Sequence, residues 1–173
     1  MWRTRTRGVP GEGNPSASIV LIGEGPGRQE DETGRPFVGR AGRLLDELLA
    51  HAGLRRADVY ITNVIKDRAA TATTPRRDRP PAPAEVAACL PWLRAQLALI
   101  RPRIVVTLGR HSLEVMLPGA RIAGVHGRPQ HRGALTILPL YHPSYALRNP
   151  GARPVLFRDA AALRGLVDER PRG

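Results

Sequence analysis

The sequence predicts an α/β fold: a three-layer α/β/α arrangement around a central four-stranded parallel sheet. Two observations carry this expectation. Short runs of β-branched and aliphatic residues alternate along the chain with segments whose apolar residues recur at helical spacing, the pattern of a parallel sheet covered on both faces. The 173 residues also suffice for one compact domain and fall short of two ordinary ones. Residues 1–173 are therefore read as a single domain, with no internal repeat and no linker.

The elements follow in order. Residues 1–16 are basic, then rich in Gly and Pro, and read as an extended lead-in. Ser18 to Ile22 is a continuous apolar run that stops at glycine, the mark of a buried parallel strand. The turn Gly23-Glu24-Gly25-Pro26-Gly27 comes next, with no helix expected directly after it. Residues 38–52 carry Val38, Ala41, Leu44, Leu45, Leu48, Leu49 and Ala52 at helical spacing, and Gly53 supplies a stop. Val59 to Val64 predicts a second buried strand, and residues 67–83 a polar loop rich in Pro and Arg. Ala84 to Ile100 predicts a second helix, with Val86, Cys89, Leu90, Leu93, Leu97 and Ile100 near one face. A third strand is expected over Ile104 to Leu108, a short helix over 110–117, a fourth strand over Thr136 to Tyr141 and a closing helix over 157–167.

Composition narrows the function classes. Hydrophobic residues are 42% and charged residues 24% of the chain, as in globular proteins. No run approaches the roughly 18 apolar residues of a membrane span, so no membrane partner is expected. The basic N-terminus lacks the apolar segment of a secretory signal. Cys89 is the lone cysteine, which rules out an intrachain disulfide and makes the cytoplasm the expected location. The formal charge is +12 and almost wholly arginine, because Lys66 is the only lysine. Such an excess points to a polyanionic partner, since Arg pairs with phosphate bidentately. An arginine bias imposed by a GC-rich genome would leave the same composition.

The unusual residues fall where an open α/β sheet binds ligands, at the carboxyl ends of its strands. They are Gly23 to Gly27, Asn63, Gly109 to His111, and His142 to Arg148. The glycine turn is not a Walker loop, because no Gly-Lys-Ser/Thr follows, and Pro26 spoils a dinucleotide fingerprint. Taken alone it is equally a tight turn. By the same token a lone histidine is more often structural than catalytic, a buried asparagine more often a turn or cap residue, and Phe37 more often a core plug.

The wider pattern is more specific. Gly23-Glu24-Gly25-Pro26-Gly27-Arg28-Gln29-Glu30-Asp31 leads through Gly34-Arg35-Pro36-Phe37-Val38-Gly39-Arg40-Ala41-Gly42. Tyr60-Ile61-Thr62-Asn63-Val64-Ile65-Lys66, Pro102 to Gly109, and His142-Pro143-Ser144-Tyr145-Ala146-Leu147-Arg148-Asn149-Pro150 follow at the expected intervals. This set resembles the iron–sulfur uracil-DNA glycosylases, family 4 of their superfamily, from about Gly11 onward. The resemblance implies a uracil-DNA glycosylase-like fold and a monofunctional enzyme. Such an enzyme flips uracil out of single- or double-stranded DNA and hydrolyses its N-glycosidic bond. It implies that Phe37 stacks on the flipped base, and that Gly25 and Asn63 line its pocket. An amide suits the O4 and N3–H edge of uracil. His142 would stabilise charge developing at O2, and Glu24 is the candidate to orient or activate water. Gly39 and Arg40, opening a helix whose free N–H groups can hold a phosphate, and Tyr145, Leu147 and Arg148, in a loop expected to enter the minor groove with Leu147 as its apolar wedge and Arg148 on the backbone, are the expected DNA contacts. No partner subunit is needed for base flipping, so a monomer is expected.

The sequence departs from that family at the cluster. The resemblance calls for four cysteines; the third position is Asp67, the fourth survives as Cys89, and the first two have no counterpart. No metal site and no iron–sulfur cluster is therefore expected. The loop after Lys66 is longer than in the family and carries Arg68, Arg76, Arg77 and Arg79 but no histidine, so no covalent capture of sugar is expected. Those arginines leave two readings open, a grip on DNA or a structural substitute for the cluster. The asparagine that the family has in this loop is missing, with Asp78 nearby. Alternatives from other classes are a catalytically weak or inactive uracil- or DNA-binding module, and a nucleotide-binding domain resting on the glycine turn.

Overall fold

The run that starts at Ile19 is buried at every position to Gly23 and becomes a central strand. The structure, a computed structural model, describes residues 5–73 and 77–168. One sheet has the strand order β1-β3-β2-β4-β6-β5. Here β1 is Glu12–Gly13, β2 Ile19–Gly23, β3 Tyr60–Asn63, β4 Ile104–Leu108, β5 Gln130–Arg132 and β6 Leu135–Leu140. The inner strands β3, β2, β4 and β6 run parallel, as the alternation of elements predicts. β1 and β5 add antiparallel at the two edges, so the sheet is six-stranded and mixed where four parallel strands were expected. These edge strands hold two and three residues and bury none of them. Their backbone pairing leaves no hydrophobic period in the sequence.

Alternation along the strands divides the core into two layers. Ile19 and Leu21 of β2 face one side, with Ile61, Val106 and Leu138 of its neighbours. There they meet α2 (Arg40–His51) and α7 (Arg153–Asp168) through Leu44, Leu45, Leu48, Leu156 and Ala160. Val20 and Ile22 face the other side, with Val105 and Ile137, against α3 (Pro83–Ile100) and α4 (Arg110–Met116) through Cys89, Leu93 and Leu113. Helices thus cover both faces, and the three-layer expectation holds. Among the described residues no helix is long and apolar enough to cross a membrane.

Three helices depart from the sequence reading. A six-residue helix, α1 (Arg28–Thr33), does start directly after the glycine turn, with Gly27 as its N-cap and Gly34 at φ 75° ending it. Glu30 and Asp31 in its first turn complement the helix dipole, but so short a helix shows no apolar period. α5 (Ile122–Val125) is shorter still. α6 (Pro143–Arg148) replaces the expected loop, with Pro143 in its first turn and His142 as N-cap. The Arg-rich loop is folded back by a bridge between Ala70 and Asp78. Residues 1–4 of the lead-in and Arg76 of this loop lie outside the described residues.

Candidate active site

Because β3, β2, β4 and β6 are neighbours in that order, their carboxyl ends set Asn63, Glu24, the turn Gly109–His111 and His142 side by side. The helix that packs after β2, α2, lies on one face of the sheet, and α4, after β4, lies on the other. A crevice opens where such connections part. A cavity of about 730 Å³ fills it, lined by Glu24, Gly25, Phe37, Asn63, His111, His142, Tyr145 and Arg148 among others.

Phe37 forms one wall. It is buried, its ring lies 5.8 Å from that of His142 at 30°, and its backbone is held at φ 52°. A non-glycine residue there costs about 1–3 kcal/mol and persists only when its surroundings over-determine it. They do so here. The Arg56 guanidinium donates to the carbonyls of Pro36 and Phe37 while pairing with Glu12 at 2.9 Å and Asp46 at 3.0 Å. A Cβ on Gly42 would stand 1.8 Å from the Phe37 carbonyl oxygen, and one on Gly23 would stand 2.5 Å from the Phe37 ring. Arg56 carries no signal in the sequence, being one arginine among many.

Asn63 is 1% exposed. Its Oδ1 is one of two buried side-chain atoms left without a hydrogen-bond partner among the described residues, the other being Thr107 Oγ1. Gly23 permits this placement, since a Cβ there would lie 2.3 Å from Oδ1. The main chain of Asn63 is pinned from behind: Lys66 Nζ donates to its carbonyl at 2.7 Å, to Thr62 Oγ1 at 2.7 Å and to Gln96 Oε1 at 2.8 Å. Burial pushes Lys66 down to about 8, yet three acceptors hold it as an ammonium at neutral pH.

His142 is held neutral. Burial, then the charges of Arg148 and His111, push it down to about 4. Its Nδ1 accepts the Ser144 N–H at 3.1 Å and lies 2.7 Å from Ser144 Oγ. An accepting Nδ1 leaves the ring proton on Nε2, so His142 is a neutral donor. Glu24 stands about one-third exposed, its Oε2 3.5 Å from His111 Nε2. Gly25 has no room for a side chain, since a Cβ would meet Ile65 at 2.5 Å.

Glu24, Gly25, Phe37, Asn63, His142, Tyr145 and Arg148, all singled out in the sequence, border this one cavity. Gly39, Arg40 and Leu147 do not line it. The Gly39 N–H, expected to be free for a phosphate, is taken with that of Val38 by the Glu30 carboxylate, 2.9 Å from each. Arg40 is exposed. Leu147, expected as a protruding wedge, is half-buried against the core, because helical α6 turns it inward. The exposed apolar group of this segment is Tyr145, stacked on Tyr141 at 5.1 Å. His111 escaped assignment in the sequence, although the turn that carries it stood out.

The residues at the cluster positions do not fit an iron–sulfur centre, which takes four thiolates. Asp67 is a carboxylate paired with Arg5 at 2.5 Å. Cys89 is buried, and its Sγ accepts the Lys66 N–H at 3.4 Å. Among the described residues no group of three His, Cys, Asp or Glu could hold a metal ion.

Comparison with known proteins agrees with this geometry. The family model of the Uracil DNA glycosylase superfamily matches residues 10–163. A type-4 uracil-DNA glycosylase of Thermotoga maritima is 49% identical over 148 residues, 84% of this chain and 74% of that protein. Its counterpart in Saccharolobus solfataricus is 40% identical over 99% of this chain and 81% of its own. Among solved structures, SMUG2 of Pedobacter heparinus superposes with a TM-score of 0.62 over 89% of this chain and 77% of that one, at 16% identity, which speaks for the fold. The chain belongs to the uracil DNA glycosylase superfamily.

Proposed function

We propose that this protein is a monofunctional uracil-DNA glycosylase that hydrolyses the bond between uracil and deoxyribose and so opens base excision repair. The observation that carries the reading is the orphaned Oδ1 of Asn63, buried at the wall of a cavity large enough for a base. A buried acceptor without a donor costs about 1–3 kcal/mol, a deficit that the N3–H of a flipped uracil removes. The amide nitrogen can donate to O4, whereas the amino group of cytosine would meet a donor instead. Phe37 offers its ring to the base, and the neutral His142 offers Nε2–H to O2. The bond breaks toward a uracil anion, so a donor fixed at O2 lowers the barrier, and removing one such donor typically costs about 10²–10³ in rate. Gly25 brings backbone to the base edge, and Glu24 faces the water.

The DNA contacts in this reading are Arg40 and Arg148 on backbone phosphates and the segment Tyr145 to Leu147 in the groove. Tyr145 is the better candidate to enter the stack, being exposed where Leu147 is packed. Gly39 supports Arg40 as the helix cap. We take residues 1–173 as one glycosylase domain that works as a monomer in the cytoplasm, on single- or double-stranded DNA, without an iron–sulfur cluster. The misfit of Asp67 and Cys89 as cluster ligands supports the last point.

The test is direct. Incubation with a uracil-containing oligonucleotide followed by alkali should cut the strand at the uracil, and a thymine-containing control should stay intact. Absence of abasic product from folded protein would refute the enzyme and leave a binding-only module. Iron analysis of the same preparation should find far less than four iron atoms per chain.

A further inference from the structure

We infer that His126, anchored on the buried Asp159, is a positioning residue for base flipping: through Tyr141 it holds the ring of Tyr145 ready to enter the DNA stack. The inference rests on the glycosylase reading above and adds two residues to it, neither of which lines the cavity that takes the base.

The anchor is built from three elements. Asp159 lies within α7 and is 5% exposed, so its carboxylate needs donors close by. His126, which caps the end of the short helix α5, supplies one, its Nδ1 lying 2.5 Å from Asp159 Oδ2. Arg158 Nη2 reaches Oδ1 at 3.3 Å. An ionised carboxylate only accepts, so a ring proton of His126 sits on Nδ1. Gly127 lets the chain close on this carboxylate: it turns at φ 70°, and a Cβ there would stand 2.6 Å from Asp159 Oδ1. The Gly127 N–H donates to the Pro139 carbonyl at 2.8 Å. That bond ties the end of α5 to β6, just before the strand delivers Tyr141.

Three rings follow in a row. His126 lies 4.6 Å from Tyr141, tilted at 39°, and Tyr141 lies 5.1 Å from Tyr145 at 27°. Exposure rises along the row. Asp159 is buried, Tyr141 is half-buried against the core, and Tyr145 is 41% exposed at the cavity rim. The helix that carries Tyr145 has other supports, since Ala146 is buried, Leu147 packs on the core and His142 caps its start. What the row adds is a fixed direction for the exposed ring. A side chain that is free in solution must be ordered when it inserts between bases, and that ordering weakens insertion. A ring already held by Tyr141 has less freedom to lose, which matters where a base must leave an intact stack.

The experiment is single-turnover uracil release, with enzyme in excess, from a duplex and from a single strand of the same sequence. His126→Ala should lower the ratio of the duplex rate to the single-strand rate by about 3- to 10-fold, the weight of ordering one side chain. A single strand has no opposing stack to replace, so it serves as the internal reference. His126→Asn keeps a donor for Asp159 but no ring. Its Tm should stay near that of the unmodified protein while the rate ratio falls as it does for His126→Ala. In a Tyr145→Ala background, His126→Ala should change the ratio little further, because both act through one ring. An unchanged ratio for either His126 variant in active protein, or additive losses in the double variant, would overturn the inference and leave the glycosylase reading intact. So would an unmodified protein that works on single strands alone. Failure to release uracil from either substrate would sink both readings together.

Discussion

Gly23 decides where two functional side chains can sit. A methyl group there would lie 2.3 Å from Asn63 Oδ1 and 2.5 Å from the Phe37 ring, contacts no rotamer of either buried side chain can absorb cheaply. Gly23→Ala should therefore reduce uracil release by about tenfold or more, since a 1 Å misplacement costs on that scale or above; a rate equal to the unmodified enzyme would show that the pocket is looser than drawn. His142 gives a prediction in pH. Its folded value of about 4 lies below the ordinary 6.5, so as pH falls the unfolded chain takes up the proton first. Its contribution to stability is intact above about 6.5 and is lost between 6.5 and 4. Across that window Tm should fall more steeply for the unmodified protein than for His142→Gln, and parallel slopes would exclude the assignment. Glu24, Phe37, Asn63 and His142 were legible as residues because their types and intervals repeat a family pattern. Their states were not: no spacing shows that Asn63 Oδ1 lacks a partner or that Ser144 fixes the tautomer of His142.

At the scale of elements, the strained loop around Phe37 depends on a residue from a distant segment. Arg56, in the 3₁₀ turn Arg56–Asp58, ties Glu12 of β1 and Asp46 of α2 to the carbonyls of Pro36 and Phe37. Arg56→Met keeps most of the aliphatic stem and removes the donors. Hydrogen bonds to a charged group contribute about 1.5–3 kcal/mol each, so losing part of this set should lower Tm by about 4–10 °C and slow uracil release. Calorimetry showing an unchanged Tm would remove Arg56 from the scaffold of the site. The N-terminal segment shows a related division of labour. Thr6 N–H donates to buried Asp31 at 2.7 Å, Val9 N–H to the Lys66 carbonyl at 2.7 Å, and Arg5 pairs with Asp67, so polar contacts hold the chain at the positions the resemblance gives to a cluster. Strands and long helices were legible because each buries a periodic apolar face; Ile104–Leu108 is the strand predicted residue for residue. β1, β5, α1 and α6 were not, being too short for a period and made by backbone pairing or capping. Leu147 was misplaced for the same reason, since reading α6 as a loop hid the face it turns to the core.

For the whole molecule the governing quantity is charge. The net +12 is not spread uniformly over function, because several arginines are already committed: Arg68 to Asp78, Arg79 to Glu85, Arg56 to Glu12. Arg110 and Arg148 line the cavity mouth and are exposed, where a phosphate flanking a flipped base would pass. Arginines on phosphate release counterions, so binding weakens linearly in log salt, with a slope of about −0.9 per phosphate for duplex DNA and about −0.7 for single strands. Arg148→Ala should then make the slope of log K against log salt shallower by about 1, with an affinity loss that shrinks as salt rises. The same charge helps hold His142 neutral, so its removal raises that pKa from about 4 toward the ordinary value without carrying it past neutrality. At pH 7.5 and saturating enzyme, uracil release by Arg148→Ala should accordingly stay near the unmodified rate while its salt slope changes. A variant with an unaltered slope would mean that Arg148 touches no phosphate, and that the basic excess near the site serves the protein's own packing rather than DNA.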